Sequence, residues 1–214
     1  MADIFEEVDE ELRRDRAKIL WDKYGKIVAA VAVLIVLATT GNVFWRNYTE
    51  GQRIENARQF LEASGLAATS QQDQAIDAFL TLAADAQAGY ALIARFRAAG
   101  LKADAGDAEG AVADYRALAA DGDVEPLYRE FAVLMAVMSE GDSADPGALL
   151  QDLEPLSAAG KPWRHTAREL AAVQHLRLGD SARAREVLTE LADDLEAPRG
   201  VRARASELLR ALGQ

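Results

Sequence analysis

The chain has 214 residues, a formal net charge of −11, half its residues apolar and no cysteine. Without cysteine there are no disulfides, thiolate metal ligands or thiol nucleophiles. The acidic balance argues against a surface that neutralises nucleic-acid phosphates.

Residues 1–26 are expected to be a helical segment on the cytoplasmic side. Asp3, Glu6, Glu7, Asp9, Glu10 and Glu11 come first and a basic cluster second, the order a helix dipole favours. Glu10 and Arg14 stand at i,i+4, and Phe5, Val8 and Leu12 form one narrow apolar stripe, suited to a partner or the inner leaflet.

Ile27–Trp45 carries no charge over nineteen residues. As a helix rising about 1.5 Å per residue it reaches roughly 28 Å, close to the hydrocarbon thickness of a bilayer. Lys26 and Arg46 bracket it, with Trp21 and Tyr24 before it and Phe44, Trp45 and Tyr48 at its end, as aromatic belts at two interfaces would be. The run is too long, too far from the N-terminus and too bulky at its end for a cleaved signal peptide, so it reads as a retained signal anchor. Arg13, Arg14, Arg16, Lys18, Lys23 and Lys26 precede it, against Arg46, Arg53 and Arg58 after it. That asymmetry places the N-terminus in the cytoplasm and residues 46–214 across the membrane.

After the span nothing reads as strand. Apolar residues recur at three- and four-residue spacing in helical blocks punctuated by Gly, Asp and Pro, which predicts an all-α domain. The blocks repeat. Ala75, Ala111, Ala148 and Ala184 are 36, 37 and 36 residues apart, and twelve residues before each stands Ala63, Ala99, Ala136 or Ala172. Two helices of a hairpin approach closely where a side chain is small, so one alanine per helix at each crossing is the expected packing position. Large apolar residues follow four and seven positions later, except in the third unit, where Asp152 and Pro155 stand and Leu149, Leu150 and Leu153 are expected to face inward instead. Ser64-Gly65, Gly106-Asp107, Gly141-Asp142 and Gly179-Asp180 are expected turns within the hairpins, and Pro126, Pro162 and Pro198 are expected to open helices. Val201 to Leu212 then reads as a capping helix, giving a helical solenoid of about four pairs plus a cap.

The pattern resembles tetratricopeptide repeats with two to three extra residues per unit, most closely in Gly106-Asp107…Ala111…Tyr115…Leu118 and Gly179-Asp180…Ala184…Leu188…Leu191. The whole layout is similar to the YfgM family, ancillary subunits of the SecYEG translocon. Lys23-Tyr24-Gly25-Lys26 resembles that family's approach to its span, Gly89 to Phe96 its second repeat, and Pro162-Trp163 the start of its fourth. The resemblance implies a periplasmic scaffold beside the translocation channel whose partners are translocon subunits, periplasmic chaperones or emerging chains.

Little in the chain suits catalysis, and no enzyme activity or cofactor is expected. His165 and His175 lie ten residues apart with no ligand cluster, and His165 with Glu169 forms an i,i+4 pair that no third group orients. A metal-dependent enzyme using the two histidines, a scaffold for cell-division or envelope-assembly machinery, and self-assembly through the span and repeats are the alternatives. Phosphate-loop and nucleophile-elbow motifs do not occur. Tyr90, Phe96, Tyr115, Tyr128, Phe131 and Trp163 read as stacking core. Repeat register puts Arg95, Arg129, Glu130, Thr166, Glu169 and Arg177 on the face made by the first helices, as candidate partner-groove positions.

Overall fold

A computed structural model describes residues 3–69 and 71–213, and every regular element among them is helical. The side chains of Phe5, Val8, Leu12, Glu10 and Arg14 lie outside the described residues. Two compact units emerge, Met1–Glu55 and Asn56–Gln214.

The first unit consists of most of α1, which runs Asp3–Ala68. Nothing breaks this helix, because the chain's first proline is Pro126. It contains a segment long and apolar enough to cross a membrane, none of it buried within the protein. The hydroxyl of Thr39 donates to the Ile35 carbonyl at 2.7 Å, so its one polar group is satisfied within the helix. Gly25 has a local reason: a Cβ there would lie 3.3 Å from the Trp21 indole, which packs over the bare backbone.

The second unit is a series of helical hairpins. The end of α1 packs on α2 (Gln72–Asp85) through Phe60, Ala63, Ala75 and Phe79, and α3 (Ala88–Asp104) pairs with α4 (Ala108–Ala120). α5 (Pro126–Glu140) is joined to α6 (Pro146–Leu153) through a 3-10 turn at Gly141–Ser143. α7 (Arg164–Arg177) pairs with α8 (Ser181–Asp193), and α9 (Arg199–Leu212) packs on that last pair.

The start of each second helix is set by its cap. Asp107, Asp145 and Asp180 each accept the backbone N–H three residues on, at 2.9, 2.9 and 3.0 Å. Gln71 holds the same place in the first unit without a side-chain cap. Four residues after these caps stand Ala75, Ala111, Leu149 and Ala184, all buried. Four further on come Phe79, Tyr115, Leu153 and Leu188, and three beyond those Leu82, Leu118, Leu156 and Leu191, again all buried.

The third unit therefore keeps the pattern, but one residue later than spacing alone suggests. Ala148 is exposed, a correction to its place at the crossing, and Leu149 is there instead. The cause is the 3-10 turn, which carries the cap past Asp142 to Asp145 and makes the cap-to-cap intervals 36, 38 and 35. The short α6 makes its close backbone approach to α7 more than to α5, as α4 does to α5 more than to α3. Ala63, Ala99, Ala136 and Ala172 on the first helices are fully buried, as are Ala75, Ala111 and Ala184.

Turn chemistry explains the other boundaries. Gly106 and Gly179 end their helices at φ 88° and 79°, with the next residue's N–H reaching back to Lys102 and His175 carbonyls at 2.9 Å, a left-handed closure that glycine favours. Ser64-Gly65 is not a turn. The Ser64 hydroxyl donates to Phe60 O at 2.8 Å inside the helix, and α1 continues to Ala68 before α2 begins at Gln72. Pro126 opens α5 as expected, whereas Pro198 caps α9 and Pro162 precedes the cap of α7.

Candidate partner-binding groove

Polar contacts between successive units use many of the charged side chains. Arg116 on α4 donates to Glu140 at the end of α5 and to Asp152 on α6, the latter at 2.6 Å. Its proton is held more firmly than an ordinary arginine's, first through Asp152. The Trp163 indole N–H donates to the Leu127 carbonyl at 3.0 Å, 36 residues away. Such contacts at about one repeat length tie each unit to the next, where a solenoid has no other long-range support.

Four of the six candidate groove side chains belong to this internal network. Arg95 pairs with Asp121 at 2.7 Å, and Glu130 receives Lys161 at 2.6 Å. Glu169 takes both arms of Arg204 at 2.5 and 2.7 Å. Arg177 donates to Gly141, Asp142 and Ala144 carbonyls, in the turn of the preceding hairpin. Arg129 and Thr166 are half-buried, and Arg129 lines a shallow cleft with Glu130 and Gln151. The six do not converge on one site.

The histidines do not converge either. His165 Nε2 lies 3.0 Å from Asp194, so Glu169 is not its partner. His175 faces Asp180 at 4.0 Å, and among the described residues no three His, Asp or Glu side chains gather around a metal-sized space.

What the structure does assemble is an aromatic groove of about 480 Å³ between α3, α4, α5 and the start of α7. Its rings form a continuous row. Tyr115 and Phe96 are 6.1 Å apart, Phe96 and Phe131 5.3 Å, and Phe131 and Trp163 5.0 Å between centroids, all tilted. Only Tyr115 is fully buried; Phe96, Phe131 and Trp163 are half-buried and Tyr128 is exposed. Tyr115 is core, as spacing suggests, whereas Phe96, Phe131, Trp163 and Tyr128 are groove walls and not sealed core, a correction to the expectation for these four. Tyr90 alone of the six stands apart, beside Phe60 at 6.3 Å.

Ile93, Arg97, Gly100, Leu101, Asp104 and Met135 complete the lining, and of these only Ile93 lies in a segment that the sequence pattern singles out. Gly100 opens the space, because a Cβ there would already be 3.4 Å from the Tyr115 hydroxyl. A glycine inside a helix costs about 1 kcal/mol relative to alanine, and that unexplained cost was the available signal. Burial, then the nearby Asp104 and Asp114 carboxylates, push the Tyr115 phenol above its usual value, so it stays a hydrogen-bond donor.

Compared with known proteins, residues 18–197 match the family model of a tetratricopeptide repeat-like domain. No curated protein and no solved structure matches the chain.

Proposed function

Because the chain belongs to the family of tetratricopeptide repeat-like domains, whose stacked hairpins are protein-interaction scaffolds, we propose that it is a single-pass scaffold of the bacterial inner membrane. In this reading residues 27–45 span the bilayer, the basic N-terminal segment stays in the cytoplasm and residues 46–214 work in the periplasm. The scaffold is ancillary to the SecYEG translocon and holds periplasmic chaperones or emerging chains. The repeats contribute binding rather than catalysis.

The observation that carries the reading is the half-open aromatic groove, on a unit whose first helix is continuous with a membrane-length apolar segment. Exposed aromatic walls with a polar base are what a captured polypeptide side chain needs. Tethering that groove near the bilayer raises its effective concentration beside whatever emerges there. The arrangement of basic residues around the span and the resemblance of the layout to translocon ancillary subunits support the placement.

A photo-crosslinker at exposed Tyr128, in intact membranes, tests the reading. Adducts with translocon subunits, chaperones or nascent chains are expected. Adducts with cell-division proteins and none with the translocon would overturn the translocon assignment. Protease added to spheroplasts is expected to digest residues 46–214, and full protection would reverse the topology.

A further inference from the structure

Two rim charges of the aromatic groove have no salt-bridge partner, and their placement specifies what the groove takes. Arg97 and Asp104 stand seven residues apart on α3, about 10 Å along one face of the helix. Both line the groove, and neither makes an ion pair among the described residues. Several other charges on these helices are paired: Arg95 with Asp121, Lys102 with Asp114, Arg116 with Glu140 and Asp152. The Arg97 guanidinium lies 5.8 Å from the Phe79 ring, which leaves its donors unused.

Gly100 lies midway between the two charges, at the point where the wall has no side chain. Beneath it is Tyr115, only 1 % exposed, whose hydroxyl would stand 3.4 Å from a Cβ at Gly100 and which lines the groove. A phenol hydroxyl at the base of a groove is a donor that a ligand's acceptor can meet.

We infer that the groove binds an extended polypeptide segment in which one aromatic or large aliphatic side chain is flanked by one acidic and one basic residue. The anchor side chain sits over Gly100 against Phe96 and Phe131. The acidic residue meets Arg97, the basic residue meets Asp104, and a backbone carbonyl beside the anchor accepts from Tyr115. An extended chain advances about 3.3 Å per residue, so the two charges stand about three residues apart. The charges complement the rim whichever way the segment runs, because exchanging its ends only requires exchanging their order. The inference rests on the groove being the partner site, as proposed above.

The test uses the full chain in nanodiscs, with empty nanodiscs as control, and capped fluorescent peptides read by anisotropy. Three peptides carry one phenylalanine flanked by an acid and a base, by two acids, or by two bases. The mixed peptide is expected to bind about three- to tenfold tighter than either other, a margin that high salt narrows. Arg97→Asp is expected to shift the preference to the two-base peptide, and Asp104→Arg to the two-acid peptide. Gly100→Leu fills the groove and Phe131→Ala removes a wall, so each weakens all three peptides while circular dichroism reports the fold intact. If the three peptides bind the unaltered protein equally, and the rim variants leave that unchanged while Gly100→Leu and Phe131→Ala still weaken binding, the charge pattern is overturned and the groove stands. If neither groove variant weakens any peptide, the groove reading falls with it.

Discussion

The guanidinium of Arg177 donates to the carbonyl of Ala144 at 2.7 Å, across 33 residues of sequence. The same group reaches Asp142 O at 2.9 Å, Gly141 O at 3.2 Å and Gln174 Oε1 at 2.6 Å. One side chain at the end of α7 thus satisfies the carbonyls of the turn between α5 and α6, which helix geometry leaves without partners. A planar fork can do this and a point charge cannot. Arg177→Lys is expected to cost about 1–3 kcal/mol, because it gives up four hydrogen bonds, of which those to Ala144 O and Gln174 Oε1 are part-buried. Chemical denaturation of the detergent-solubilised chain measures the loss. Limited proteolysis is expected to cut first near Gly141–Ala144, and cutting elsewhere with this turn still protected would count against the clamp.

The third unit offers a direct test of register. Leu149 is buried at 1 % exposure and its neighbour Ala148 is exposed. Leu149→Ala is expected to destabilise the domain by about 2–4 kcal/mol through the cavity it leaves. Ala148→Ser is expected to change stability by less than about 0.5 kcal/mol, as surface substitutions do. Thermal or urea unfolding of the two variants distinguishes the assignments, and the reverse order of effects would return Ala148 to the crossing.

Why was one crossing misplaced when the others were legible? A small residue beside a buried one looks the same as the buried one when only spacing is read. Here a longer interval before Asp145 and a shorter one after it nearly cancel over two repeats. The cap residue carries the true register, since Asp145 fixes where α6 begins. The apolar run Ile27–Trp45 is legible as one uncharged stretch, and it falls in a helix long and apolar enough to cross a membrane. The groove was hidden for a different reason. Recurrent rings at Phe96, Phe131 and Trp163 fit a core by spacing, and whether they face a void depends on one absent side chain at Gly100. Nor does periodicity reveal that Arg95, Glu130, Glu169 and Arg177 are already engaged, since their partners lie 26 to 36 residues away.

Acid is expected to loosen two hairpins through the same position. Asp121 and Asp194 both cap the ends of second helices, α4 and α8. Hydrogen bonding from Arg95, then the Asp123 N–H, holds the Asp121 carboxyl below its usual range. The Glu196 N–H, helped by His165, does so for Asp194. A depressed carboxyl contributes stability above the unfolded value of about 4, and that contribution is lost as pH falls through the folded value. Urea midpoints recorded from neutral pH down to about 3 are therefore expected to fall below pH about 4. In Asp121→Asn the decline is expected to be shallower, whereas an unchanged profile would rule this carboxylate out as a source.

Tyr115 is expected to mark the opposite end of the pH range. Burial is the main reason its phenol is raised above the ordinary value of 10.0, followed by Asp104 and Asp114. The folded state favours the protonated phenol, so the stability it contributes is fully present below about 10 and lost as pH rises through the folded value. Phenolate absorbance is expected to show a late component that Tyr115→Phe removes. Asp104→Asn, which deletes one of the two carboxylates, is expected to move that component toward lower pH while the row of Phe96, Phe131 and Trp163 stays in place. A late component that survives Tyr115→Phe would place the raised phenol elsewhere. One that ignores Asp104→Asn would show that this carboxylate does not act on the groove's base.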